Sequence, residues 1–239
     1  MNLYVFDYDG TFYRTKEELR KNILMMKRVM AEGHIFVIAT GRSYESFIHE
    51  IENHNIEFDY LILSSGAQIL SKDYKVIHQT TMDIQVFKTI EMNYIKNQFD
   101  ILDQRYISLL HNQKNIDGIH SLLKVTYNVK KSQMNSILKA SIQSFHDRDI
   151  NIYLLPLQNY DLLEMVSSQT NKAKAIQKLV DYIDKPVQVI VAGDSENDLE
   201  MIETFDGYLM ENHDKTLKIS KKKIAKSIGY ILNETLNLS

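Results

Sequence analysis

Short, wholly apolar runs alternate with amphipathic stretches along the first third of the chain. Leu3-Tyr4-Val5-Phe6 reads as a buried strand. Over 17–32, Leu19, Ile23, Met26, Val29 and Met30 recur at helical spacing, and Gly33 supplies a stop. A second buried strand follows at 34–39. A helix starts at Ser43 with Phe47, Ile48 and Ile51 on one face, and Tyr60-Leu61-Ile62-Leu63 is a third strand. Continuous apolar strands separated by helices predict a parallel sheet covered on both faces.

The alternation loosens near residue 81. From 82 to 165 the helical stretches are longer and more polar, with strands at 123–129 and 151–155. The first pattern then resumes as an amphipathic helix over 173–183, a buried strand over 188–192 and a short strand over 207–210. The expected organisation is a core of residues 1–81 and 166–239 interrupted by an insert of residues 82–165. No internal repeat or low-complexity segment is visible. The run Lys221-Lys222-Lys223 reads as a solvated helix face.

Composition narrows the classes. The chain has 239 residues, 44% hydrophobic and 25% charged, with a net charge of −3, so no global basic field draws it to nucleic acid or an anionic membrane. With no cysteines, disulfides and thiolate metal sites are excluded, and a reducing cytoplasm is the expected location. No signal-like stretch opens the chain, and no apolar run approaches a bilayer span. No Gly-x-Gly-x-x-Gly follows the first strand, which argues against a dinucleotide-binding oxidoreductase. Nothing demands an oligomer, and a monomer is expected.

Four candidate sites lie just past strand ends or at helix starts, the rim where open α/β sheets bind ligands. The first is Asp7-Tyr8-Asp9-Gly10-Thr11, after the first strand. Its two carboxylates point the same way and repel unless a cation lies between them. The second is Ala39-Thr40-Gly41-Arg42-Ser43, a hydroxyl beside helix-start amides. The third is Lys172, a cation in a first helical turn where the macrodipole disfavours it, with Lys174 as rival. The fourth is Gly193-Asp194-Ser195-Glu196-Asn197-Asp198, after the strand 188–192. Each has a plain reading alone: an Asp-Gly turn, an N-cap, a solvated lysine, a capping box. Together they gather Asp7, Asp9, Asp194 and Asp198 at one rim, which calls for a hard divalent cation such as Mg²⁺, with Thr40 and Lys172 suited to a phosphate.

In this order and spacing the four motifs resemble those of the haloacid dehalogenase superfamily of phosphohydrolases. The insert between the second and third motifs resembles the C2-type cap of subclass IIB, and Ser65-Gly66-Ala67 is similar to the Asn-Gly-Ala of its Cof-like group. The resemblance implies an α/β, Rossmann-like parallel sheet core with an inserted α+β cap domain. It implies Asp7 as nucleophile and Asp9 as acid and base. Thr40, Gly41, Lys172, Asn197 and the Tyr8 amide would hold the phosphoryl group. Asp7, the Asp9 carbonyl and Asp194 would ligate Mg²⁺, with Asp198 in or near that set. The activity implied is Mg²⁺-dependent hydrolysis of small phosphate monoesters, above all sugar phosphates. A phosphomutase of the phosphomannomutase type and a non-catalytic regulatory protein of the same fold are the alternatives. Ser65 in place of asparagine, Ala173 in place of a common glycine, the segment Met210-Glu211-Asn212-His213 and a short insert depart from the family pattern. Tyr94, Arg105, Tyr106, His111 and Tyr127 are the insert residues considered for ligand contact.

Overall fold

The computed structural model describes residues 1–96, 99–109, 111–131, 149–213, 215, 217 and 223–236. Its larger sheet has eight strands. β1 (Asn2–Phe6), β2 (Ile35–Ala39), β3 (Tyr60–Leu63), β11 (Gln188–Gly193), β12 (Tyr208–Met210) and β13 (Lys223–Ala225) are parallel, in the order β13-β12-β11-β1-β2-β3. β4 (Gln68–Ser71) and β5 (Val76–Gln79) extend that order antiparallel beyond β3. The antiparallel edge and β13 are additions to the expected elements. Lys223 lies in β13, so the helical reading of the lysine run fails there; Lys221 and Lys222 lie outside the described residues.

The apolar runs are continuous because both faces of the sheet are covered. On one face Tyr4, Phe6, Phe36 and Ile38 pack with Leu19, Met26 and Val29 of α1 (Lys16–Ala31), Phe47 and Ile51 of α2 (Tyr44–His54), and Ile228, Ile231 and Leu232 of α6 (Ile228–Thr235). On the other, Leu3, Val5, Val37 and Ala39 pack with Ala175, Ile176 and Leu179 of α4 (Lys172–Ile183) and Met201 and Ile202 of α5 (Leu199–Thr204). Strand alternation assigns successive residues to the two faces. Helix starts are fixed by side-chain caps: Ser43, where the sequence suggests one, and also Thr15 and Asn171 accept from backbone amides of the first turns of α2, α1 and α4.

The second sheet has five antiparallel strands in the order β7-β6-β8-β10-β9. They are β6 (Ile101–Ile107), β7 (Asn112–Gln113), β8 (Lys124–Lys130), β9 (Ile150–Pro156) and β10 (Tyr160–Ser167). Here β8 alternates apolar with polar, unlike β1 or β2. Val125, Tyr127, Val129, Leu163 and Met165 face α3 (Ile84–Ile90) and the π-helical turn Glu91–Ile95 in a separate core. Lys124, Thr126, Asn128, Leu162 and Glu164 take the opposite face, which is turned toward the larger sheet.

No helix among the described residues is long and apolar enough to cross a membrane.

Candidate active site

β1 is the switch point of the larger sheet, with β2 on one side and β11 on the other, and the crevice beyond the carboxyl ends of these strands is the expected ligand site. The register Phe6↔Ala192 sets Asp7 beside the turn that carries Asp194, and the Asp7 amide donates to the Ala192 carbonyl at 2.9 Å. Gly10 has φ +85°, and a Cβ there would stand 2.3 Å from Asp194 Oδ2. The tight turn therefore needs glycine so that the two acid loops can meet. Asn212, in the segment that departs from the family pattern, steadies this turn by donating to the Gly10 carbonyl at 2.8 Å.

One carboxylate oxygen from each of Asp7, Asp194 and Asp198 lies within 4.8 Å of the others. Lys172 is fully buried and donates to Asp7 Oδ1 at 2.7 Å and to Asp198 Oδ1 at 2.6 Å. Thr11 donates to Asp194 Oδ1 at 2.8 Å. The other Asp198 oxygen accepts from the Asp194 amide, the Ser195 amide and the Ser195 hydroxyl, so the capping box and the acid cluster are one structure. Asp7 Oδ2 is buried with no hydrogen-bond partner.

Three acids against one lysine leave the cluster short of positive charge. Burial pushes the Asp7 carboxyl well above its usual range, against the pull of Lys172, with the Asp198 and Asp194 charges adding to the rise. Burial, then the Asp198 charge, pushes Asp194 up to about 7. For Lys172, burial works against the charge, but Asp198 and Asp7 outweigh it and hold the ammonium above its usual range. A hard divalent cation suits this donor set: oxygen ligands only, an orphaned buried carboxylate oxygen, and net negative charge.

Asp9 is placed differently. Its carboxylate accepts from Arg42 Nε at 2.8 Å and Nη2 at 2.7 Å, a bidentate pair, and its side chain stands clear of the acid cluster. Arg42 is anchored in turn, donating to Glu50 at 3.0 Å and lying 5.3 Å from the Tyr8 ring centroid. Tyr8 donates its hydroxyl to Glu50 at 2.8 Å and packs edge-on against Phe47.

A cavity of about 650 Å³ lies between the two sheets, within the range of small-molecule sites. Asp7, Asp9, Thr40, Gly41 and Asn197 line it from below, whereas Lys172, Asp194 and Asp198 stand behind Asp7 rather than on its wall. Thr40 is buried, and its hydroxyl accepts from the Arg42 amide at 3.1 Å. Asn197 accepts from the Ser195 hydroxyl at 2.8 Å. Lys174 reaches the Ser168 carbonyl at 2.7 Å and takes no part.

From above, the cavity is lined by Arg105, Lys124, Thr126, Asn128, Tyr160 and Glu164. Of the insert residues considered from sequence, only Arg105 lies on this wall. Tyr106 and Tyr127 point into the insert's own core and both bond Glu91; Tyr94 packs beside them; His111 lines a separate groove of about 320 Å³. Lys124 and Glu164 escaped notice, although each interrupts an apolar run (Leu122-Leu123-Lys124-Val125 and Leu162-Leu163-Glu164-Met165), the mark of a charge that must find a buried partner.

Fold and site together define a phosphatase-type hydrolase of the haloacid dehalogenase superfamily. More narrowly, the chain belongs to the Sucrose-6F-phosphate phosphohydrolase family, whose model matches residues 1–233. It is 24% identical over 226 residues to the 5-amino-6-(5-phospho-D-ribitylamino)uracil phosphatase of Bacillus subtilis strain 168, covering 84% of this chain and 83% of that one. Among solved structures, a haloacid dehalogenase-like hydrolase from B. subtilis superposes with a TM-score of 0.75 at 16% identity over 100% of both chains. The sucrose-phosphatase of Synechocystis sp. PCC6803, determined with sucrose and phosphate, gives 0.73 at 17% identity over 100% of this chain and 99% of that one.

Proposed function

We propose that the chain hydrolyses small phosphate monoesters, sugar phosphates foremost, in a Mg²⁺-dependent reaction through an aspartyl-phosphate on Asp7. The observation that carries this reading is the buried Asp7–Asp194–Asp198 cluster with its single lysine, which meets through Asp7 a cavity that Arg105, Lys124, Asn128 and Glu164 line from above. The family match and the sucrose-phosphatase likeness favour a sugar phosphate.

Asp7 attacks phosphorus, and the ester oxygen leaves with a proton from Asp9. Asp9 then takes a proton from the water that attacks the aspartyl-phosphate, releasing phosphate and restoring Asp7. Donation requires Asp9 to give up its Arg42 contact, because a carboxylate with both oxygens accepting from a guanidinium has no proton to give. Thr40, the Gly41 amide, the Tyr8 amide and Asn197 hold the phosphoryl oxygens, and Lys172 orients Asp7 and offsets charge from behind. Asp7, the Asp9 carbonyl and Asp194 would hold Mg²⁺, and Asp198 fixes Lys172 and the Asp194 loop beside it. When bound, the ion would supply positive charge to offset that of the phosphoryl oxygens. Residues 82–165 act as a cap that excludes water and selects the leaving group.

Phosphate release from a panel of monoesters, p-nitrophenyl phosphate included, tests this with Mg²⁺ and with chelator. Release should require Mg²⁺, and Asp7→Asn should lower kcat by on the order of 10⁴-fold while the protein stays folded. Near-normal turnover by Asp7→Asn would overturn the assignment.

A further inference from the structure

Two charged residues on the roof of the cavity behave unlike their neighbours. Lys124 and Glu164 are almost wholly buried, 1% and 3% exposed, although they lie on the polar face of their sheet. They are ion-paired across β8 and β10, and neither stops at the other. Lys124 Nζ also donates to the Gly41 carbonyl of the larger domain at 2.6 Å. The second Glu164 oxygen accepts from the Ser65 hydroxyl at 2.7 Å. Ser65 is held left-handed at φ 56°, and its amide donates to the Thr40 carbonyl at 3.1 Å. The network thus grips the Thr40–Gly41 loop at two consecutive carbonyls. The approach is close enough that a Cβ at Gly41 would stand 3.1 Å from Glu164.

We propose that Lys124 and Glu164 are positioning residues that tether the phosphate-binding loop to the cap, so that Thr40 and Gly41 are set for phosphate only while the cap is seated. The inference rests on the reading of Thr40 and Gly41 as phosphate ligands. A buried ion pair holds only when all its hydrogen bonds are made. Lifting the cap takes Lys124 away from Gly41 and Glu164 away from Ser65 at once, and both charges return to water. Seated and lifted are therefore two discrete states with no stable compromise between them. Cap closure and loop order become one event, which couples entry of a leaving group to assembly of the phosphate site.

The test uses the full chain with Lys124→Met and Glu164→Met combined, since replacing both charges together strands no buried charge and removes only the tether's own hydrogen bonds to the Gly41 carbonyl and the Ser65 hydroxyl. Hydrogen exchange of the segment 39–43 reads the tether whether or not any ester turns over. It should quicken about tenfold or more in the double variant, and unchanged exchange would overturn the proposal. Kinetics read the consequence. With p-nitrophenyl phosphate, whose leaving group needs no cap contact, kcat should fall roughly 10- to 100-fold, the scale of an ångström-sized misplacement. A normal kcat for that ester with a raised KM for sugar phosphates alone would make the pair a leaving-group subsite and sink the tether. Faster exchange in a chain whose wild type hydrolyses nothing would leave the tether standing and the phosphatase reading fallen.

Discussion

Among the described residues two lysines are buried against carboxylates within reach of one cavity, and the two sites differ in charge balance. On the floor, Lys172 faces Asp7 and Asp198, with Asp194 close by, so three acids share one cation. On the roof, Lys124 faces Glu164 alone, and both carboxylate oxygens are satisfied. The balanced pair is complete as it stands, which suits a fastening. The unbalanced cluster holds an orphaned oxygen and raised carboxyl pKa values, which suits a site that finishes its coordination with an added cation. Burial alone does not separate a catalytic charge from a structural one; the count of charges and of unmade hydrogen bonds does.

The largest stability effect should come from removing the cation on the floor. Lys172→Met leaves Asp7 and Asp198 uncompensated in a dry site, which costs about 3–5 kcal/mol by the usual scale for breaking a buried pair. Lys124→Met strands one carboxylate and should cost less. The sharper contrast is in the metal response: Mg²⁺ should recover part of the loss in Lys172→Met and none in Lys124→Met. Unfolding of both variants at pH 8, with and without Mg²⁺, reads it. Equal recovery in the two would mean that the floor is not the cation site.

A smaller effect follows from pH. Asp194 is raised to about 7, above its unfolded value of 3.8, so the folded state binds the extra proton between these limits. The stability this contributes is present below about pH 4 and is lost as pH rises through about 7. Between pH 5 and 7 the metal-free protein should therefore lose roughly 2 kcal/mol from this group, several degrees in Tm for a chain of this size. Mg²⁺ should flatten the profile, and Asp194→Asn should make it shallower without metal, leaving the Asp7 contribution, while abolishing the Mg²⁺ response. Thermal melts from pH 5 to 8.5 decide; a metal-free Tm that climbs through pH 7 would contradict the charge excess.

The floor was legible in the sequence and the roof was not. Asp7, Thr40, Lys172 and Asp194 each follow a strand end or open a helix, so strand periodicity alone places them on one rim. The Arg42 hold on Asp9 was missed because Arg42 sits at an ordinary helix approach, and only the fold brings it to Asp9 across 33 residues. The roof depends on β8 and β10 pairing in one particular register, Thr126↔Glu164, with that face laid over Gly41. No local pattern encodes that. Alternation marks Lys124 and Glu164 as sharing a face with polar residues, and polar faces usually meet solvent. The antiparallel edge β4–β5 was missed for a related reason. It follows three consecutive positive-φ residues, Ser64, Ser65 and Gly66, two of which are types that give little warning of such a turn.

The smallest effect probes the joint between the two sites. Ser65→Ala removes the hydroxyl that satisfies Glu164 Oε2 but leaves the Lys124 pair and the Thr40 contact through the Ser65 amide in place. One unmade hydrogen bond to a buried carboxylate costs about 1–3 kcal/mol. Ser65→Asn is the informative companion. Asparagine tolerates the left-handed backbone at φ 56° better than serine and can donate to the same oxygen. It should match wild type in stability while Ser65→Ala falls below it, as chemical denaturation would measure. If alanine and asparagine lose equally, the added bulk beside Gly41 outweighs the donor, since a Cβ on Gly41 would already stand 3.4 Å from Ser65 Oγ. Packing at that joint, rather than the hydrogen bond, would then set how tightly roof meets floor.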